Sequence, residues 1–244
     1  MKNHIAPLFL SLLLLTTFGC EEELCAPSSP SASAITILPL GDSRVEGGTP
    51  EFDSYRYDLW KLLSQNAWET DFIGSRQDEY KYEAVDGKCF DNEHEGTGGA
   101  MTRDILETLQ SLNLETEADV VLLGIGGNDL TDGGLEVAEV IDNMKQIIVA
   151  LQARNDNLII FVEQIAPGRS DFMTADLQQT FEQFNQQIPD LTDLQNNTDS
   201  KVIIVDMAQG WSDDYMADEV HYNRAGAQVV AERYFQAMQA NVVR

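Results

Sequence analysis

One stretch limits the possible folds of this chain more than any other: Asp119-Val120-Val121-Leu122-Leu123-Gly124-Ile125, with no polar side chain after Asp119. A strand with one wet face alternates apolar and polar residues, whereas a strand covered on both faces reads as an unbroken apolar run. The same unbroken character recurs at Ile35–Leu38, Leu158–Val162 and Val202–Val205, with a shorter trace at Phe72-Ile73. Between these runs, apolar residues fall at helical spacing. The series are Phe52, Tyr55, Leu59, Leu62 and Leu63; then Val137, Ile141, Met144, Ile148 and Leu151; then Leu177, Phe181, Phe184 and Ile188; and finally Val230, Tyr234 and Met238. Thr49-Pro50 reads as the start signal of the first helix. Strands separated by helices build parallel βαβ units with helices on both faces of one sheet. The expectation is an α/β three-layer sandwich around a five-stranded parallel sheet. Residues 75–100 read as one long polar loop, of a length that usually carries function.

The folding unit does not begin at Met1. Lys2 precedes a short apolar run, Pro7 to Phe18, too short for a bilayer-spanning helix of roughly 20 residues. Residues 1–19 therefore read as an export signal. Thr17-Phe18-Gly19-Cys20 resembles the lipoprotein box, which makes Cys20 the expected lipidation site; a plain secretory signal is the alternative. Stable anchoring there needs more than one acyl chain. Residues 20–34, rich in Glu, Ser, Pro and Ala, read as a flexible tether, which leaves 35–244 as the single domain.

The 41 acidic against 15 basic side chains give a net charge of −26, a surface that repels nucleic acid and anionic lipid headgroups. Membrane contact is expected only through the anchor at Cys20. In an exported protein Cys25 and Cys89 can form a disulfide, or can remain two free thiols.

In parallel sheets ligands bind beyond the carboxyl ends of the strands. Four polar blocks fall at such ends: Gly41-Asp42-Ser43, His94-Glu95-Gly96-Thr97-Gly98-Gly99, Gly126-Gly127-Asn128-Asp129 and Asp218-Glu219-Val220-His221. Singly each is an ordinary turn. Together they supply a hydroxyl nucleophile, Ser43, and a base to take its proton, His221. Asp218, three residues earlier, can orient the imidazole. Oxyanion donors are available from Asn128 and from the Ser43 and Gly99 N–H groups. Gly124-Ile125-Gly126 suggests a dinucleotide loop, but Asp129 stands where its third glycine belongs.

Taken in order, these blocks resemble those of the SGNH (GDSL-type) hydrolases. Leu38-Pro39-Leu40-Gly41-Asp42-Ser43, the His94-Glu95-Gly96 run and Phe184-Asn185 with Ile188 are similar to acetyl-xylan esterases of carbohydrate esterase family three. The resemblance implies a flavodoxin-like fold, Ser43, Asp218 and His221 as catalytic triad, and Ser43, Gly99 and Asn128 as oxyanion hole. It implies a serine esterase acting on acetyl or other short acyl esters, with an acylated carbohydrate as substrate and no metal or organic cofactor. A lysophospholipase or thioesterase of the same superfamily, or a non-catalytic glycan-binding protein, are the alternatives. Three places depart from the pattern: Arg44 replaces the Leu of the family name, Thr97-Gly98 precede Gly99 in the second block, and Tyr222 stands where Pro commonly follows the histidine. Arg44 is expected to pair with Glu46, with contact to an anionic substrate group as the alternative.

Overall fold

The computed structural model describes residues 29–243, apart from Glu115 and Thr198. The expected export segment, Cys20 and Cys25 lie outside the described residues. Cys89 is disulfide-bonded, so it is not a free thiol. Where the tether meets the domain, Ser31 and Ser33 donate hydroxyl hydrogen bonds to the Glu69 carboxylate at 2.6 and 3.3 Å.

The unbroken apolar runs become the buried strands β1 (Ile35–Gly41), β5 (Val120–Gly124), β6 (Ile159–Gln164) and β7 (Lys201–Asp206). Three short strands precede β5: β2 (Thr70–Phe72), β3 (Arg76–Gln77) and β4 (Glu93–Gly96). All pairings are parallel except β3 against β4. Among the described residues the sheet has seven strands rather than five, arranged as five parallel lanes and one antiparallel edge strand. β2 pairs with the first half of β1 and β4 with its second half, so two segments share one lane. The strand between them, β3, lies outboard of β4.

The polar run 75–100 is therefore not one loop. Glu93–Gly96 is strand because its polar side chains are paired inside the protein: Glu95 accepts from the Ser75 N–H and hydroxyl at 2.8 and 3.0 Å.

Helices cover both faces. On one side α3 (Thr102–Ser111), α5 (Val137–Gln152) and α6 (Ala175–Gln187) pack with Leu38, Val121 and Leu123. On the other, α2 (Arg56–Gln65) and α7 (Arg224–Asn241) pack with Ile37, Val120 and Leu122. Neighbouring residues of one strand enter opposite cores, which is why the runs do not alternate. The first long helix begins at Arg56, not at Thr49-Pro50. Phe52 consequently lies in the preceding loop. Two short helices follow strand ends, α1 (Ser43–Glu46) directly after β1 and α4 (Gly127–Thr131) after β5.

The lane order places β1 between β4 and β5. The chain leaves β1 to one side and later returns to its other side, so the order reverses at β1. That is where α/β sheets open a crevice.

Candidate active site

The crevice starts from a close approach of two backbones. Gly41 and Gly124 are register partners at the ends of β1 and β5. A Cβ on Gly41 would stand 2.0 Å from the Gly124 carbonyl oxygen, so only glycine fits. Asp42 then caps α1, its Oδ1 accepting from the Arg44 N–H at 2.9 Å. Burial raises the Asp42 carboxyl above its ordinary range, against the pull of Arg44. This turn presents Ser43 as the first residue of α1.

Beyond β7, a second local device fixes the imidazole. Asp218 Oδ1 accepts from the Val220 and His221 N–H groups at 2.9 and 2.7 Å. This aims Oδ2 at His221 Nδ1, 2.8 Å away. The loop is closed by Ala217 N–H donating to the His221 carbonyl and by Asn223, which caps α7 with its Oδ1. Burial works to raise the Asp218 carboxyl, but the hydrogen bonds from the His221 ring and the two N–H groups prevail and lower it.

The two segments, 178 residues apart in sequence, meet: His221 Nε2 lies 2.9 Å from Ser43 Oγ. All three residues expected as a triad are thus in one hydrogen-bonded chain.

Asn128 comes from the turn after β5, where Gly126 adopts φ 115°, a conformation that L side chains rarely adopt. Its Nδ2 donates to the Ala100 carbonyl at 2.9 Å, which holds the amide beside the block containing Gly99. The neighbouring Asp129 is not part of this rim. It is buried and accepts from Thr102 N–H and Oγ1, locking the turn after β5 to the start of α3. Neither the Ser43 nor the Gly99 N–H donates within the protein among the described residues. Two free N–H groups and one amide hydrogen thus remain available at the strand ends.

Such a rim of hydroxyl, imidazole and free donors can open an ester by acyl transfer. Residues 40–229 match the family model of the GDSL-like lipase/acylhydrolases. The chain belongs to that family. Among solved structures, this hydrolase is similar to a carbohydrate esterase family 3 from Talaromyces cellulolyticus, at 25% identity and TM-score 0.70, over 84% of this chain and 97% of that one. It is also similar to the family 3 carbohydrate esterase of Clostridium thermocellum, at 26% identity and TM-score 0.67, over 85% and 96%. No curated protein matches it. The hydrolase is thus an SGNH-type ester hydrolase on the expected three-layer fold.

One expectation is corrected. Arg44 does not pair with Glu46, which instead meets Arg76 at 3.3 Å. Arg44 Nε donates to the Val220 carbonyl and Nη1 to the Ala166 carbonyl, each at 2.7 Å, and its guanidinium lies 4.8 Å from the Tyr222 ring centroid. Two carbonyls fixed at good angles outcompete a flexible neighbour on the surface. Two of the departures from the family pattern, Arg44 and Tyr222, therefore form one contact.

Sequence reading also missed Phe52, whose ring stacks on His221 at 3.9 Å between centroids and 18° between planes. Its helical spacing with Tyr55 and Leu59 was the wrong signal; the nearby Gly47-Gly48 and Pro50 were the right one.

Proposed function

We propose that this hydrolase removes acetyl or other short acyl groups from carbohydrate through an acyl-enzyme on Ser43. The observation that carries the reading is the continuous hydrogen-bonded chain from Asp218 through His221 to Ser43. With the His221 Nδ1 proton held by Asp218, Nε2 is the acceptor for the Ser43 hydroxyl. Ser43 Oγ bonds to the ester carbonyl carbon as its proton passes to Nε2. The carbonyl electron pair moves to oxygen, where the Ser43 and Gly99 N–H groups and the Asn128 amide receive it. Collapse of this intermediate expels the alcohol, protonated by His221. Water then attacks the acyl-enzyme, giving its proton to His221, and collapse returns that proton to Ser43 as the acid leaves.

Two features support the finer substrate reading. The cavity beside Ser43, walled by Ile125, Ile165, Phe172 and Phe181, holds only about 30 Å³. A space of that size suits a short acyl group and no long chain. The similarity to two family 3 carbohydrate esterases supports a sugar as the alcohol. The net charge of −26 supports neither nucleic acid nor an anionic bilayer as partner. Export, with an anchor at Cys20, rests on the residues before 29 alone.

Hydrolysis of p-nitrophenyl acetate by the wild type and Ser43→Ala tests the mechanism. We expect loss of turnover in the variant and labelling of Ser43 by a fluorophosphonate in the wild type. Equal rates in the two proteins overturn the mechanism. Faster turnover of long-chain esters than of acetylated sugars overturns the substrate.

A further inference from the structure

A second depression adjoins the reacting centre and takes no part in the chemistry above. It encloses about 250 Å³ between the Gly47–Thr49 turn and residues 76–82, with Glu46 and His94 also in its walls. Two separate contacts tie it to the active site. Glu46, the last residue of α1, directs Oε1 to Arg76 at 3.3 Å, while its Oε2 would lie 2.9 Å from a Cβ on Gly98, the neighbour of Gly99. On the other flank, the Phe52 ring lies against Gly48 while stacking on His221. The groove thus begins one residue away from the oxyanion donors and one ring away from the base.

Its lining has the chemistry of sugar recognition. Tyr80 is 46% exposed, one of only three large hydrophobic side chains so exposed among the described residues. The ring is braced rather than loose: it meets Tyr82 edge-to-face at 5.0 Å, and Tyr82 donates to Asp78 Oδ2 at 2.7 Å. Asp78 is itself held by the buried Arg56 at 2.6 Å. A braced, exposed aromatic face offers a flat apolar surface for the C–H face of a pyranose, at low cost in side-chain entropy. Around it, Arg76 and the exposed Glu79 supply donors and acceptors for hydroxyl groups. The carboxylates of Glu46, Asp78 and Glu79 outnumber the single lining cation, Arg76, which disfavours a uronic acid or a phosphate. The volume lies below the roughly 300–1,000 Å³ of pockets for drug-sized ligands, which fits one ring.

We propose that this groove is a subsite for a neutral pyranose unit on the alcohol side of the ester, with Tyr80 as its stacking platform. The inference rests on the carbohydrate-esterase reading and adds where the sugar lies.

The test compares wild type, Tyr80→Ala and Tyr80→Phe on p-nitrophenyl acetate and on an acetylated neutral oligosaccharide. The quantity read is the ratio of kcat/KM on saccharide to kcat/KM on the aryl ester. In Tyr80→Ala this ratio falls about tenfold, the scale of one lost aromatic contact, through KM on the saccharide. Tyr80→Phe, which keeps the ring, stays near the wild-type ratio. An unchanged ratio in Tyr80→Ala, with the saccharide still turned over, overturns the subsite alone. A wild type that cleaves the aryl ester but no acetylated saccharide overturns the carbohydrate reading and the subsite together. Equal preference for an acetylated uronic-acid oligosaccharide overturns the neutral assignment.

Discussion

Arg44 Nε donates to the carbonyl of Val220 at 2.7 Å, one residue before His221 and one residue after Ser43. A single side chain thus spans the gap between the Ser43 turn and the His221 loop. Its second bond, to Ala166, adds the exit of β6 to the same clamp. Acyl transfer depends on sub-ångström placement, and a shift of about 1 Å can cost about 10² in rate. Arg44→Leu, the residue of the family name, should lower kcat on p-nitrophenyl acetate by about 10–10²-fold with a smaller change in KM. Arg44→Lys, with a point charge in place of a fork, should recover only part of the loss. Wild-type kcat in Arg44→Leu would show that the loops hold themselves.

Phe52 acts on the imidazole from its face rather than its edge. The ring excludes water from one side of His221 and limits its rotation, while Asp218 fixes the direction of Nδ1. Phe52→Ala should reduce kcat/KM on p-nitrophenyl acetate about tenfold, on the scale of one lost aromatic pair. Phe52→Tyr, which keeps the stack, should be close to wild type. Steady-state kinetics of both variants decide the point.

The parts of this site that could be read from the sequence were those encoded by local chemistry. Unbroken apolar runs gave the buried strands, since both faces of each are covered. Gly41, Ser43, Asn128 and His221 could be located because strand ends converge in parallel sheets. What remained hidden depended on long-range pairing. The run Glu93–Gly96 looks like loop, yet His94 and Glu95 are buried and satisfied by partners that no local pattern reveals. Phe52 fitted a helical period equally well as a loop residue, and only the start of α2 at Arg56 decides between them. The sequence pairs Arg44 with Glu46, a carboxylate two residues away, whereas its partners lie 122 and 176 residues away.

Arg56 should prove the most destabilising single loss near the site. Its side chain is fully buried and donates to the Val45 and Glu46 carbonyls at the end of α1, to the Asn92 carbonyl, and to Asp78. The guanidinium therefore satisfies the open end of α1, the helix that begins at Ser43, and pins the loop that carries Tyr80 and Tyr82. Removing it takes the cation from a carboxylate that keeps only the Tyr82 hydroxyl and His94, and takes a donor from three carbonyls, of which that of Val45 keeps the Ser54 hydroxyl. Arg56→Leu should cost about 3–5 kcal/mol of stability, the scale of a broken buried ion pair, in urea unfolding monitored by tryptophan fluorescence. A loss below about 1 kcal/mol would mean that solvent replaces the guanidinium.

Glu163 makes stability depend on pH in the neutral range. It lies on β6 beneath the Ser43 turn, 5% exposed, with Tyr234 donating to Oε1 at 2.7 Å. Burial pushes its carboxyl up to about 7 from 4.5, against the Tyr234 hydrogen bond and Arg44 and with the help of Asp42. The folded form therefore keeps a proton that the unfolded chain has released. The resulting stabilisation is complete below about pH 4.5 and is lost as pH rises to about 7, at most on the order of 3 kcal/mol. Asp91, raised by burial to about 7, contributes a slope of the same sign. Asp218, lowered from 3.8, acts oppositely but only in more acidic solution. Glu163→Gln keeps an acceptor for Tyr234 without the ionisation. Its thermal midpoint should fall less than the wild type's between about pH 4.5 and 8, and should exceed it at about pH 8. Parallel melting curves across that range would show that Glu163 is already ionised in the folded protein and that solvent or Arg44 compensates its charge.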